Sequence, residues 1–385
     1  MNRRQFAGFV GGAALLGALR PAASPAAAAA GDVIEVSEAA HSLYTRALIL
    51  DCNSSPPLPE RLPMSQSDLD LVRGSGIDVI KLSLGGIKDD FVHTVAEIGQ
   101  VQQLIEVHPD YFTQVRTAAG MARAQREHKL GIILSFESAE MFGGQLSSLE
   151  VFRGLGVRVM QLSYNRTSPF AAGVMEPNAG GLTALGREAV REMNRLGIAV
   201  DLSHANPATT ADVLALSSMP PVMTHAGCAA VHAHPRNKTD EQLRGLAAKG
   251  GVVGIYELPY LSASPHQPTT DDYMAHLLHA LGVAGEDHVG IGSDVGIEPF
   301  DSSPAGMADF SRELAERRAA GLSAPEEDRP TFVAGLNVPR RMEIIATHRR
   351  TTAESADQIF AIADGRAVAA DVTAFERPVR ESRDA

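Results

Sequence analysis

Short apolar runs recur along the chain, separated by segments whose apolar residues fall three or four positions apart. The runs are Ala47–Cys52, Ile77–Leu84, Gly131–Phe136, Val157–Ser163, Ala199–Ser203, Pro221–Thr224, Gly251–Tyr256 and Val289–Gly292. Each is apolar on both faces and bounded by polar residues or Gly, the pattern of a buried parallel strand. In Leu182–Leu196 the positions Leu182, Leu185, Ala189, Met193 and Leu196 mark one buried face of a helix, which Gly197 ends. Asp240–Lys249 and Asp271–Leu281 repeat the pattern and open with acids, which suit a helix N-terminus. Eight strands alternating with helices predict an α/β fold, a (β/α)8 TIM barrel over residues 31–374. A doubly wound open sheet is the alternative, but the Gly-rich turn expected after its first strand is absent.

Hydrophobic residues make up 44% of the 385, which is enough for a large core and excludes a disordered chain. The formal net charge of −12 leaves no basic excess for phosphates, so nucleic acid is not an expected partner. At the start, Arg3 and Arg4 precede Phe6, an apolar run from Phe9 to Leu19, and a small-residue tract ending at Ala30. That order predicts a twin-arginine export signal over residues 1–30, hence a periplasmic or secreted protein. An ordinary secretory signal or an uncleaved anchor is the alternative. Residues 375–385 are charged and read as a flexible tail.

In such a barrel, chemistry sits where the strands end. Those positions hold Glu137, His204, His225 and Asp294. Two neutral imidazoles and a carboxylate are a common Zn²⁺ set that leaves one position for water. Asp294 is then free to accept the water's proton. Taken singly, each has an ordinary reading as a capping acid or a hydrogen-bonded core histidine. Their convergence on one rim is what points to a metal site.

The block Gly181–Gly197, with Val200-Asp-Leu-Ser-His204, His234-Pro-Arg-Asn237 and Val289-Gly-Ile-Gly-Ser-Asp294, resembles the membrane (renal) dipeptidase family, peptidase family M19, of the amidohydrolase superfamily. The resemblance implies a zinc-dependent hydrolase acting on a small peptide or amide with a free carboxylate. It implies that Glu137 bridges two zincs, that His204 and His225 hold one of them, and that Asp294 is the acid–base residue. It also implies that Arg236 grips the substrate carboxylate; without it, Arg236 reads as a solvated surface residue. Members of the family are often dimers, so a homodimer is an expected assembly.

The chain also departs from the pattern. The family's first strand ends in His-x-Asp; here Asn53 and Ser55 stand in those positions. Neither is a good zinc ligand, so a single zinc on Glu137, His204 and His225 is expected, with Asn53 left to contact substrate. Tyr164 falls where the family has an oxyanion-stabilising histidine and offers one neutral hydrogen bond in its place. Strand alternation turns Cys52 toward the helices, and no bridge to Cys228 is expected. The functions that remain are an exported dipeptidase-like hydrolase, a maturation or tautomerising enzyme for a peptide-derived natural product, and a non-catalytic binding protein.

Overall fold

A computed structural model describes residues 36–59, 61–86, 90–352, 358–363 and 366–371. Nine parallel strands carry the architecture. They are β1 Leu50–Asp51, β2 Val79–Leu84, β3 Phe112–Gln114, β4 Leu130–Phe136, β5 Val157–Met160, β6 Ala199–Val200, β7 Met223–Ala226, β8 Val253–Ile255 and β9 Val289–Ile291. All but β3 form the ring. One parallel sheet runs β1-β2-β4-β5-β6 and another runs β7-β8-β9. The bridge between Asp201 and Val222 joins β6 to β7. The Cys52 N–H donates to the Ile291 carbonyl at 2.9 Å and brings β9 back to β1. The result is a closed (β/α)8 barrel.

Each of the eight apolar runs overlaps one ring strand, though β4 begins one residue before its run and β7 ends two residues after its own. Strands β5 and β6 end well before their runs do: Gln161–Ser163 lie outside β5, and beyond β6 only Asp201 keeps a bridge, to Val222. The strand β3 was not foreseen. Its three residues pair with the start of β4, in register Phe112 to Leu130, beside the point where β5 takes over. An antiparallel hairpin, β10 Gln358–Ala363 and β11 Arg366–Asp371, pairs with itself and not with the ring. Residues 1–30 and 375–385, read as export signal and tail, lie outside the described residues.

The helix after β5 illustrates how local sequence sets the outer layer. It spans Ala184–Leu196, because the Thr183 side chain accepts the Gly186 N–H and caps the first turn. Gly197, at φ 66°, ends it in a left-handed turn that a β-branched residue would resist. Its buried face is Ala189, Val190 and Met193, packed into the main core. Full burial of a side chain such as Val190 or Met193 contributes roughly 1.5–3 kcal/mol. Asp240–Ala248 and Thr270–Ala284 are helices as expected, each opened by a capping box. Among the described residues, no helix is long and apolar enough to cross a membrane.

Candidate metal centre and substrate cavity

Glu137 directly follows β4, His225 lies within β7, and His204 and Asp294 follow β6 and β9 by a few residues. The ring therefore delivers all four to one rim, where all are buried. The Nε2 atoms of His204 and His225 face each other at 3.0 Å. His204 Nε2 is 3.7 Å from Glu137 Oε2. One ligand atom from each of Glu137, His204 and His225 lies within 4.8 Å of the other two. Behind the rings, His204 Nδ1 meets Asn165 Oδ1 at 2.9 Å and His225 Nδ1 meets Thr224 Oγ1 at 2.9 Å. His225 Nδ1 also lies 3.1 Å from Asn53 Nδ2. With Nδ1–H donated to the two oxygens, each Nε2 lone pair would be directed inward. Burial, reinforced by the nearby Arg236 charge, holds both imidazoles well below their usual pKa, so they stay neutral.

Glu137 presents its two oxygens differently. Oε1 accepts from Ser83 Oγ at 2.7 Å and from Asn53 Nδ2 at 2.9 Å. Oε2 is buried and has no hydrogen-bond partner. A buried carboxylate oxygen left unsatisfied is costly. Here it faces the histidine pair, so the set fits one divalent ion through Glu137 Oε2 and the two Nε2 atoms, with an open fourth position.

Asp294 has φ 59°, a left-handed conformation that Asp tolerates better than most residues. The seam between β9 and β1 fixes it. Asp51 accepts the Ser293 N–H at 2.9 Å and the Ser293 hydroxyl at 2.5 Å. Asp294 Oδ2 reaches to 4.0 Å from His225 Nε2. Burial, and then the Glu137 charge, raise the Asp294 pKa well above the usual carboxylate range. Higher proton affinity is what a general base needs, and a divalent ion beside it would favour the carboxylate form from which it acts.

The surface reading of Arg236 is overturned: only 2% of it is exposed. One guanidinium nitrogen donates to the Ser203 carbonyl at 2.7 Å, and the group lies 5.9 Å over the Tyr256 ring. It lines a cavity with Tyr164, His204, Tyr260, Asp294 and Arg317. Tyr164 stacks on His204 at 4.0 Å between ring centroids, and burial pushes its phenol up to about 12. His234 stacks on Tyr260 at 4.3 Å and meets the Pro325 carbonyl at 3.0 Å, a loop role rather than a metal one. The outer wall is Arg317, from the helix Pro304–Ala319, paired with Glu327 at 2.9 Å.

The family model for membrane dipeptidases, peptidase family M19, matches residues 40–354. The chain belongs to the membrane dipeptidase family. It is similar to the dipeptidase tcpJ of Claviceps purpurea, 29% identical over 266 residues that cover 67% of this chain and 61% of that protein. The chain spans less than two thirds of the length of such curated relatives. Among solved structures, an amidohydrolase from Pseudomonas aeruginosa superposes with a TM-score of 0.71 at 26% identity, covering 81% of this chain and 92% of that one. A metallopeptidase from Rhodobacter sphaeroides, liganded with a phosphinate mimic of the dipeptide L-Ala-D-Ala, has a TM-score of 0.59 at 22% identity, covering 78% and 99%.

In this member of the membrane dipeptidase family, Asn53 and Ser55 stand where the first strand meets the centre. Asn53 occupies the middle of the site, donating to Glu137 and to Asp294 Oδ1 at 2.6 Å. The Ser55 hydroxyl is buried without a partner. Lys81 is the central residue that sequence reasoning missed. Its ammonium donates to Asn53 Oδ1 at 2.9 Å and Thr224 Oγ1 at 3.3 Å. The available signal was Lys81 and Ser83 on one face of an otherwise apolar strand. The expectation for Cys52 also fails. With Lys81, Ile133, Val159 and Val222 it lines a separate cavity of about 300 Å³ inside the ring. Strand β1 ends at Asp51 and the chain then bends, so alternation no longer decides where residues 52 and 53 point. Both cysteines are free thiols.

Proposed function

We propose that this protein is an exported, metal-dependent hydrolase that cleaves a dipeptide or related small amide with a free carboxylate. The observation that carries the reading is the unsatisfied Glu137 Oε2 facing two neutral imidazoles within a dipeptidase-family barrel. Glu137, His204 and His225 would hold a single zinc ion. A divalent ion there supplies Lewis acidity and lowers the pKa of a water toward ~7. Asp294 accepts the attacking water's proton and returns it to the leaving amine. Arg236 binds the substrate carboxylate through the guanidinium edge not used by Ser203. Tyr164, held against His204, donates one hydrogen bond to the developing oxyanion. Burial within the cavity strengthens each of these interactions.

The paired arginines and apolar run near the N-terminus support export to the periplasm or beyond, and family resemblance supports a homodimer. Localisation of a tagged full-length chain and light scattering test these two points. The replacement of ionic first-strand residues by Asn53 and Ser55 favours a second reading, a non-hydrolytic enzyme acting on a peptide-derived compound. One experiment separates the two. Zinc-loaded protein is incubated with L,L- and L,D-dipeptides and free amine is measured. Release of amine supports the hydrolase. Silence across the panel with zinc bound moves the assignment to the second reading.

A further inference from the structure

We propose that Lys81 is a built-in second cation. Its ammonium, acting with the Asn53 amide, fills the place of a second metal and holds the centre to one ion. The inference rests on the one-zinc reading above and explains how the chain enforces it.

Lys81 lies in the middle of β2 and is 2% exposed. Two buried carboxylates flank it: Glu137 Oε1 at 3.6 Å and Asp201 Oδ2 at 3.8 Å. Asp201 is itself fixed, accepting from the Ser203 and Thr224 hydroxyls at 2.6 Å each and from Gln161 at 3.1 Å. Two buried carboxylates need a counter-charge, and the chain supplies it covalently. An ammonium only donates, so it draws the Asn53 oxygen toward itself and turns the Asn53 NH₂ to Glu137 and Asp294. That NH₂ offers no lone pair to a metal. Glu137 Oε1, the oxygen on this side, is already occupied by Ser83 and Asn53, while Oε2 stays open toward the histidines. A second dication here would meet an ammonium, an amide NH₂ and a saturated oxygen. Lys81 is thus a positioning residue that sets both the charge and the orientation of Asn53.

The test is zinc stoichiometry and affinity of the full chain, by equilibrium dialysis and elemental analysis, with circular dichroism as the check on folding. Four proteins are compared: the natural chain, the Asn53→His/Ser55→Asp pair, Lys81→Met, and all three changes together. The natural chain and the His/Asp pair should bind one zinc each. The triple variant should bind two. Lys81→Met alone should bind its single zinc about tenfold more tightly, because a neighbouring positive charge is gone. Lys81→Gln, which keeps an N–H donor without charge, should behave like Lys81→Met. Lys81→Arg should restore the natural stoichiometry in the His/Asp background. A His/Asp pair that binds two zincs with Lys81 present overturns the proposal, as does a folded triple variant that stays at one. Failure of all the proteins to bind zinc would overturn the metal reading itself, a distinct result.

Discussion

Asn53 and Asp294 exchange two hydrogen bonds across the seam that closes the barrel. The Asn53 amide donates to Asp294 Oδ1 at 2.6 Å, and the Asp294 N–H donates to the Asn53 carbonyl at 2.8 Å. The first bond holds one carboxylate oxygen, leaving the other to face the histidines. Asp294→Asn keeps the shape and can still accept from Asn53, but it cannot take a proton. Turnover should fall by about 10²–10⁴-fold with zinc content unchanged. Steady-state kinetics beside metal analysis checks this, and a variant that retains turnover would remove Asp294 from proton transfer.

Arg236 is anchored by one bond to the Ser203 carbonyl, which fixes the guanidinium plane while leaving donors free for the cavity. Bidentate pairing with a carboxylate is the use such a fork serves best. Arg236→Lys keeps charge and loses the fork. It should raise KM for substrates with a free C-terminus, with a loss of about 10- to 100-fold in kcat/KM at ~1.5–3 kcal/mol for the charged hydrogen bonds. C-terminally amidated substrates should be poor for the natural protein and little changed by the variant. Equal losses on both would place the arginine outside carboxylate recognition.

Zinc should stabilise the fold by mass action, because the three ligands are assembled only when the ring is closed. At a free zinc concentration of 100 times Kd the gain is about 2.7 kcal/mol. Thermal melts with zinc and with chelator should separate accordingly, and the separation should vanish in His204→Ala. Since burial keeps both imidazoles neutral to well below pH 6.5, the zinc-dependent shift should persist at pH 6. A shift retained by His204→Ala would mean that zinc acts elsewhere on the protein.

The residues at the candidate metal centre were legible in the sequence because strand ends are short-range features. The apolar runs stop at polar residues or Gly, and the barrel's symmetry puts those stops on one side. Arg236 was less legible. It lies in a loop, where its burial depends on Tyr256 and the Ser203 carbonyl, contacts made far along the chain. Lys81 was legible as a polar intruder in β2, but its meaning came only from Glu137, after the adjacent β4, and Asp201, after the more distant β6. Cys52 was misplaced because a two-residue strand is too short for alternation to govern the residues after it. The strand β3 escaped notice for a similar reason, since three residues beside β4 leave almost no periodic signal.

Glu257 follows β8, is 1% exposed, and lies 3.3 Å from Arg341 Nε. Burial outweighs the attraction of Arg341 and pushes the carboxyl up to about 8. In the unfolded chain it titrates near the ordinary value of about 4.3. Between these values the folded protein holds a proton that the unfolded chain has released. The unfolding free energy therefore falls as pH rises from about 4.5 toward 8, and this contribution is flat above that. Glu257→Gln has no proton to hold and lacks that slope, so relative to the natural chain it should gain stability steadily from pH 5 to pH 8. Urea unfolding of both proteins at several pH values, with zinc held constant, measures the difference. Parallel curves would mean that Arg341 keeps the carboxylate charged across the whole range, and that the pair is a buried ion pair rather than a buried acid.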